Sequence, residues 1–339
     1  GGGRDSYVVD IGQTLVGLTF DIIQRTMLAD AQDVDAHAIK RAIGEYLSPI
    51  KWEIAYDFLG IPDWAPHPGS RKMDRAARIA RAEIAALVHS RRQSGTPGQD
   101  LLGRLISARE AEDNASASDE QIVDNLLTFL TAGHETTARA LTWSLDLTAL
   151  MPQWYDRLAS EIADVAGSEE ITVGHVDQLV DTKRFIQEAM RLFPSAPVIS
   201  RIANRSVVLG GRNLPSGATI LVPIYVVHRH HQLWERPSVF DPDRFTDEAQ
   251  AARPRYAYMP FGAGPRMCIG ATFAMIEATV ILATLIRGAT FETVGTEPPE
   301  PVSGITLFPR NPIKLRVRPI ESTAGLQHDF ASHLSLIHI

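Results

Sequence analysis

One cysteine, Cys268, sits in the run Phe261-Gly262-Ala263-Gly264-Pro265-Arg266-Met267-Cys268-Ile269-Gly270, directly ahead of an apolar helical pattern. Glycines let a backbone approach a large flat ligand closely. The free N–H groups and dipole at a helix start stabilise negative charge, which suits a cysteine used as a thiolate. Backbone N–H groups aimed at the sulfur would also tune a bound metal. The same run reads equally as a core cysteine beside a glycine turn. A second constellation, Ala132-Gly133-His134-Glu135-Thr136-Thr137, lies in the middle of a long helical pattern. A mid-helix glycine costs about 1 kcal/mol relative to alanine. Threonines that bond back to earlier carbonyls bend a helix. The pattern therefore predicts a weak, polar, bent spot where a carboxylate and a hydroxyl could relay protons; a solvated polar face with a tolerated glycine is the alternative. In Glu188-Ala189-Met190-Arg191 the two charges share one helix face. Alone, such a pair is ordinary surface decoration.

The elements that must carry these residues are mostly helical. Apolar spacing predicts helices over 7–29, 34–59 and 70–92, with punctuation at Gly60-Ile61-Pro62 and Ser94-Gly95-Thr96-Pro97. Ser118 followed by Gln121 has the form of a capping box, and the helix it opens runs to Leu150, ahead of Met151-Pro152. At 1.5 Å per residue that helix would be roughly 48 Å long and would cross a whole domain. A helix over 181–193 ends before Pro194. Residues 198–227 alternate β-branched positions with turns at Gly210-Gly211 and Pro215-Ser216-Gly217, which predicts a small antiparallel sheet. A last helix over 269–287 follows the cysteine, and a hairpin over 305–317 is expected to turn at Pro309-Arg310-Asn311-Pro312. The fold class is thus mainly α with a small antiparallel β region.

Composition narrows the function. In 339 residues, 45% hydrophobic and 22% charged residues exclude a disordered or fibrous chain. A net charge of −7 argues against nucleic acid or an anionic membrane as a partner. One cysteine cannot build a disulfide framework or a multi-cysteine zinc site. No membrane span is expected: the most apolar run, 273–286, is short and carries Glu277. No signal peptide is read at the start, so the cytoplasm is the expected location. Residues from about Ser322 onward show no period, and Leu334-Ser335-Leu336-Ile337-His338-Ile339 resembles translated sequencing-adapter sequence. Residues 321–339 are expected to be a disordered or artefactual tail.

Taken in order, the constellations resemble the cytochrome P-450 family, the haem-thiolate monooxygenases, over about 21–319. Phe261, Gly264, Cys268 and Gly270 match its haem-binding signature Phe-x-x-Gly-x-x-x-Cys-x-Gly. Ala132 to Thr137 match its oxygen-activating motif, and Glu188 and Arg191 its Glu-x-x-Arg motif. Phe240-Asp241-Pro242-Asp243-Arg244-Phe245 supplies Arg244, which would complete a Glu–Arg–Arg network. Four motifs in the right order are far more specific than any one.

The resemblance implies a haem b whose iron takes Cys268 as its axial thiolate, a ligand that pushes electron density to favour O–O cleavage. Phe261 and Gly262 would lie in the loop beside the sulfur, and Arg266 and Arg201 would bind the haem propionates. Ala132 and Gly133 would leave room for dioxygen, the co-substrate. Glu135 and Thr136 would deliver protons. Glu188, Arg191 and Arg244 would be structural. Phe129, Ala196, Val198, Ile305 and Thr306 resemble pocket-lining positions, and their apolar character implies an apolar small-molecule substrate, hydroxylated or epoxidised. Electrons would come from NAD(P)H through a separate ferredoxin, flavodoxin or reductase. Arg253, Arg255 and Arg266 are expected to form a local basic patch for that partner. A peroxide-using or isomerising haem-thiolate enzyme, or a non-catalytic haem-binding fragment, is the alternative; the Glu135-Thr136 pair argues for dioxygen.

The sequence departs from the family at its start. The part that normally supplies the first sheet strands, a helix touching a propionate and a substrate-recognition loop has no counterpart. Residues 1–320 are therefore expected to be a P450 haem domain lacking its N-terminal part.

Overall fold

The computed structural model describes residues 6–28, 35–62, 64–95, 98–111 and 118–320. The tail expectation for 321–339 lies outside them. The chain divides into two compact units, one of Gly1–Val16 with Thr136–Ile339, the other of Gly17–Glu135. The divisions fall within helix α1 (Ile11–Met27) and helix α6 (Asp119–Leu150).

The unit of residues 17–135 is helical. It holds the rest of α1, then α2 (Ala36–Leu47), α3 (Ile50–Phe58), α4 (Ser70–Gln93), α5 (Leu101–Ala111) and the first half of α6. Asp35 caps α2 by accepting the Ala38 N–H at 2.9 Å. The single helix expected over 34–59 is two, because Pro49 has no N–H to continue the ladder and its ring crowds the preceding turn. Ser118 and Gln121 form the expected capping box at the start of α6, at 3.2 and 2.7 Å. The core packs Phe20 and Ile23 of α1 with Ile84 and Val88 of α4 and Ile122, Leu126 and Leu130 of α6. Between α4 and α5, Arg91 and Asp100 make a buried two-pronged pair at 3.0 Å, and Asp100 also accepts the Gly103 N–H.

The other unit mixes helices and small sheets. Its helices are the end of α6, α7 (Pro152–Ala166), α8 (Val180–Leu192), the short α9 (Ile224–Val227) and α10 (Asp247–Ala252), and α11 (Ala271–Gly288). Its strands are β1 (Tyr7–Asp10), β2 (Ile199–Ile202), β3 (Val207–Leu209), β4 (Arg212–Leu214), β5 (Thr219–Val222), β6 (Ala289–Thr293), β7 (Pro301–Ser303), β8 (Leu307–Pro309) and β9 (Lys314–Pro319). Every pairing is antiparallel, in the orders β1-β9-β6, β2-β5, β3-β4 and β7-β8. The expected sheet over 198–227 is present as a β3-β4 hairpin nested between β2 and β5. Its turn residues, Gly210 and Gly211, both have positive φ (56° and 76°), the geometry of a tight hairpin turn.

Two expectations fail here. Tyr7–Asp10 is a strand, not the start of a helix: Val8 and Val9 are β-branched, and Asp10 is the cap of α1, accepting the Gln13 N–H at 3.2 Å. The strands at 305–317 do not pair with each other. β8 pairs backward with β7, while β9 lies between β1 and β6, so Pro309 to Pro312 is a crossover between sheets.

Helix α11 packs on α7 and α8 and buries Ala278 to Ala283 and Leu285 to Ile286. Among the described residues it is the one helix long and apolar enough to cross a membrane by length and composition. It passes without a loop into β6, and the Tyr155 hydroxyl of α7 donates to the Ile286 and Ala289 carbonyls at that junction.

Candidate haem-thiolate site

The cysteine loop is closed by its own backbone. The Cys268 N–H donates to the Phe261 carbonyl at 2.9 Å, and the Gly262 N–H to Met259 at 3.0 Å. Gly262 and Gly264 have φ of 73° and 71°, the left-handed region that a side chain disfavours. A 3-10 turn, Gly264–Arg266, follows, and its carbonyl at Gly264 accepts Met267. Cys268 emerges exposed, three residues before α11 begins, and a Cβ on Gly270 would stand 3.8 Å from its sulfur. Met267 and Ile269 on either side are 59% and 86% exposed, an apolar surface that water solvates poorly. Arg266 is exposed on the turn. Arg201, on β2 opposite Ile220, is also exposed and donates to the Ser200 carbonyl.

Behind this loop lies a buried polar core. Arg191 is fully buried and grips the Glu188 carboxylate through two N–H···O bonds of 2.6 and 2.8 Å. Its remaining N–H groups donate to the carbonyls of His228, Pro237 and Val239. Glu188 also accepts the Asp241 N–H at 2.9 Å, and Arg244 stands 3.5 Å away. The expected Glu–Arg–Arg network is therefore assembled, with Arg244 as an ion-pair member whose Nε makes no hydrogen bond. Arg236 has φ of 45°, the positive-φ residue among the described non-glycines; its carbonyl is held by Arg244 and its neighbour Pro237 by Arg191.

His228 links this core to the cysteine loop. Its backbone carbonyl accepts Arg191, and its Nε2 accepts the Met259 N–H at 2.9 Å. Tyr258 stacks on its ring and donates to the Gln187 carbonyl of α8. Burial pushes the His228 imidazole down to about 4, so the ring is neutral, as its acceptor role requires. Nothing in the sequence marked this histidine out from His230 and His231 beside it.

Arg253 corrects the expected basic patch. Its guanidinium lies over the rings of Trp234, Phe245 and Tyr258 at 4.6, 4.5 and 5.9 Å, and it donates to the Arg244 carbonyl. It is a half-buried structural cation, and the exposed arginines of that stretch are Arg255 and Arg266.

The motif of α6 stays helical throughout, so Gly133 does not break the helix. The side on which a Cβ would stand at Gly133 is occupied by Ile23 of α1, whose Cδ1 would overlap it. His134 is buried; its Nδ1 pairs with the Leu130 carbonyl and its ring meets Phe20 edge-on. The His134 carbonyl accepts the Thr19 hydroxyl at 2.8 Å, and the Thr136 carbonyl accepts the Ser195 hydroxyl at 2.7 Å. Ala132 is exposed; Phe129, Glu135 and Thr136 are half-buried. Thr137 bonds to Glu277 of α11, whose carboxyl is 1% exposed, has one oxygen without a partner, and is raised by burial to about 8. The sequence had shown Glu277 only as an interruption in an apolar run.

Of the expected pocket residues, Ala196 is half-buried, Val198 and Ile305 are exposed and Thr306 is buried. Ser195 joins two of these segments, since its carbonyl accepts the Leu307 N–H at 2.9 Å.

The Cytochrome P450 family matches residues 3–317, and the chain belongs to that family. It is 33% identical over 318 residues to cyclooctatin synthase of Streptomyces melanosporofaciens, covering 92% of this chain and 66% of that protein. It is 31% identical over 331 residues to a cytokinin hydroxylase of Arabidopsis thaliana, covering 92% and 62%. The chain thus spans about two-thirds of the length of these relatives. The crystal structure of the cytochrome P450DA heme domain superposes with a TM-score of 0.82 at 25% identity, covering 94% of this chain and 70% of that one.

The residues present fit a haem. Cys268 offers an exposed soft donor. Gly264 opens on empty space, a Cβ at Gly270 would stand against the sulfur itself, and exposed Met267 and Ile269 offer apolar cover for a macrocycle.

Proposed function

We propose that this chain forms the haem-bearing part of a monooxygenase that inserts one oxygen atom of dioxygen into an apolar small molecule. The carrying observation is Cys268, exposed in a self-closed glycine loop at the head of α11 and backed by the buried Glu188–Arg191 core. When bound, haem ligated by a thiolate supplies the iron chemistry that cleaves O–O.

The chain's own residues carry the rest. Cys268 would hold the iron, Phe261 would pack beside the sulfur, and Gly262, Gly264 and Gly270 would keep the loop close to the macrocycle. Arg201 and Arg266, both exposed cations, would bind the propionates. Ala132 would keep its exposed side of α6 free of bulk, and Gly133 would let α6 approach Ile23 of α1. Glu135 and Thr136 would hold and pass protons at the carboxylate and the hydroxyl. Phe129, Ala196, Val198, Ile305 and Thr306 would contact substrate. Glu188, Arg191 and Arg244 would hold the fold. Electrons would come from NAD(P)H through a separate ferredoxin, flavodoxin or reductase, with Arg255 and Arg266 offering cations to an acidic donor. A cysteine kept as a thiolate suits a reducing compartment, so the proposed location is cytoplasmic. The two relatives carry different names, and the substrate is assigned only as apolar.

The test is the absorption spectrum of the haem-loaded protein, expressed from its complete reading frame, after dithionite and carbon monoxide. A Soret band at the red-shifted thiolate–carbonyl position is expected, and Cys268→His should move it to the imidazole position. A wild-type band at the imidazole position overturns the proposal.

A further inference from the structure

Ser195 lies between α8 and β2, next to Ala196 and outside every motif described above. Its hydroxyl donates to the carbonyl of Thr136 at 2.7 Å, and its own carbonyl accepts the N–H of Leu307 at 2.9 Å. Two ring contacts brace the same junction. Phe193 stacks on Trp143 of α6 at 4.1 Å and 5°, and the Trp143 indole N–H donates to the Leu307 carbonyl at 3.3 Å. Three segments therefore meet at one residue: the α6 turn bearing Thr136, the stretch after α8 bearing Ala196, and the strand entered through Ile305 and Thr306.

A helix carbonyl already serves the N–H four residues on, here that of Ala140. A second donor from outside the helix fixes that carbonyl in direction and ties the local turn to its neighbour. The Thr136 side chain springs from the same residue, so the direction of its Cα–Cβ bond follows.

We propose that Ser195 is a positioning residue: its hydroxyl holds the α6 turn of Thr136 in register with the two substrate-facing segments. This rests on the reading of Thr136 and of those segments given under Proposed function. The role is exerted through Thr136 and the strand, not by contact with reacting atoms.

The test compares Ser195→Ala and Ser195→Thr with the wild type, all haem-loaded. Amide hydrogen exchange over 136–144 should accelerate about fivefold in Ser195→Ala, the factor set by loss of one ordinary hydrogen bond. It should return toward wild type in Ser195→Thr, which keeps the hydroxyl. The fraction of NAD(P)H electrons recovered in product should fall with the first variant and recover with the second, with the carbonyl band unmoved in both. Unchanged exchange in Ser195→Ala overturns the proposal. Faster exchange with unchanged electron recovery overturns it too, since the bond would then be structural only. A wild type without the thiolate–carbonyl band overturns the monooxygenase reading, and this inference with it. A wild type with the band beside an indistinguishable Ser195→Ala overturns this inference alone.

Discussion

The Nε2 of His228 accepts the backbone N–H of Met259 at 2.9 Å, two residues before the cysteine loop opens at Phe261. Through its carbonyl the same histidine receives Arg191, so one residue joins the Glu188–Arg191 core to the loop that carries Cys268.

His228→Ala should cost about 1–3 kcal/mol, the range for leaving a buried donor without its partner. It should loosen haem retention more than it lowers secondary structure. The pH dependence has a definite sign. The imidazole is near 4 when folded and near 6.5 when unfolded, so between these values the unfolded chain binds more protons and stability falls as pH drops. Denaturant midpoints measured from pH 7 to pH 4 should show a decline that His228→Gln lessens.

Glu277 acts in the opposite direction. Its carboxyl is held near 8 by burial against an unfolded value near 4.5. The folded chain keeps a proton that the unfolded chain releases, so stability should fall as pH rises through that window, by at most about 1.4 kcal/mol per unit. Glu277→Gln should flatten the alkaline limb of the stability curve. A limb of unchanged slope in that variant would remove Glu277 as its cause.

Gly133→Ala should destabilise by about 0–2 kcal/mol: the added methyl meets the Ile23 Cδ1, an overpacking cost of about 1–3 kcal/mol, and alanine's helix preference returns about 1 kcal/mol. Ile23→Val removes that atom, so the double variant should recover part of the loss. Thermal unfolding of the four proteins of this cycle measures the coupling.

Charge reversal separates the three arginines near the cysteine. Arg255→Glu should slow reduction by an acidic donor at low salt, with the effect shrinking as salt is added, while Arg266→Glu should also weaken haem retention, since Arg266 is assigned to a propionate. Arg253→Glu should instead lower thermal stability, since it removes a cation from three aromatic rings. Stopped-flow reduction rates and melting curves measured on the same proteins would tell the two effects apart.

What could be read from the sequence was local. The capping box of Ser118 and Gln121 and the pair Glu188 and Arg191 each span three residues, and the Cys268 loop closes on itself over seven. Short spacing fixes such geometry. Ser195 meets Thr136 across 59 positions and His228 meets Met259 across 31, and no periodicity encodes either partner. The strand partners failed for the same reason: β9 has an alternating pattern that any antiparallel edge could satisfy, and the chain chose β1 and β6 over the nearer β8. Arg253 reads from its own segment as one of a basic pair with Arg255, while the aromatic rings that bury it come from 234, 245 and 258.

The direct passage of α11 into β6 sets where the gene can tolerate changes in length. Between the short turn that follows Cys268 and the sheet runs a rigid rod of 18 residues, with no loop where it enters β6. One residue inserted near Gly288 would turn that rod by about 100° against the sheet, carrying the sulfur off its bearing. The same insertion at Gly210-Gly211, at the exposed tip of the β3-β4 hairpin, would lengthen a turn and leave the sulfur where it is.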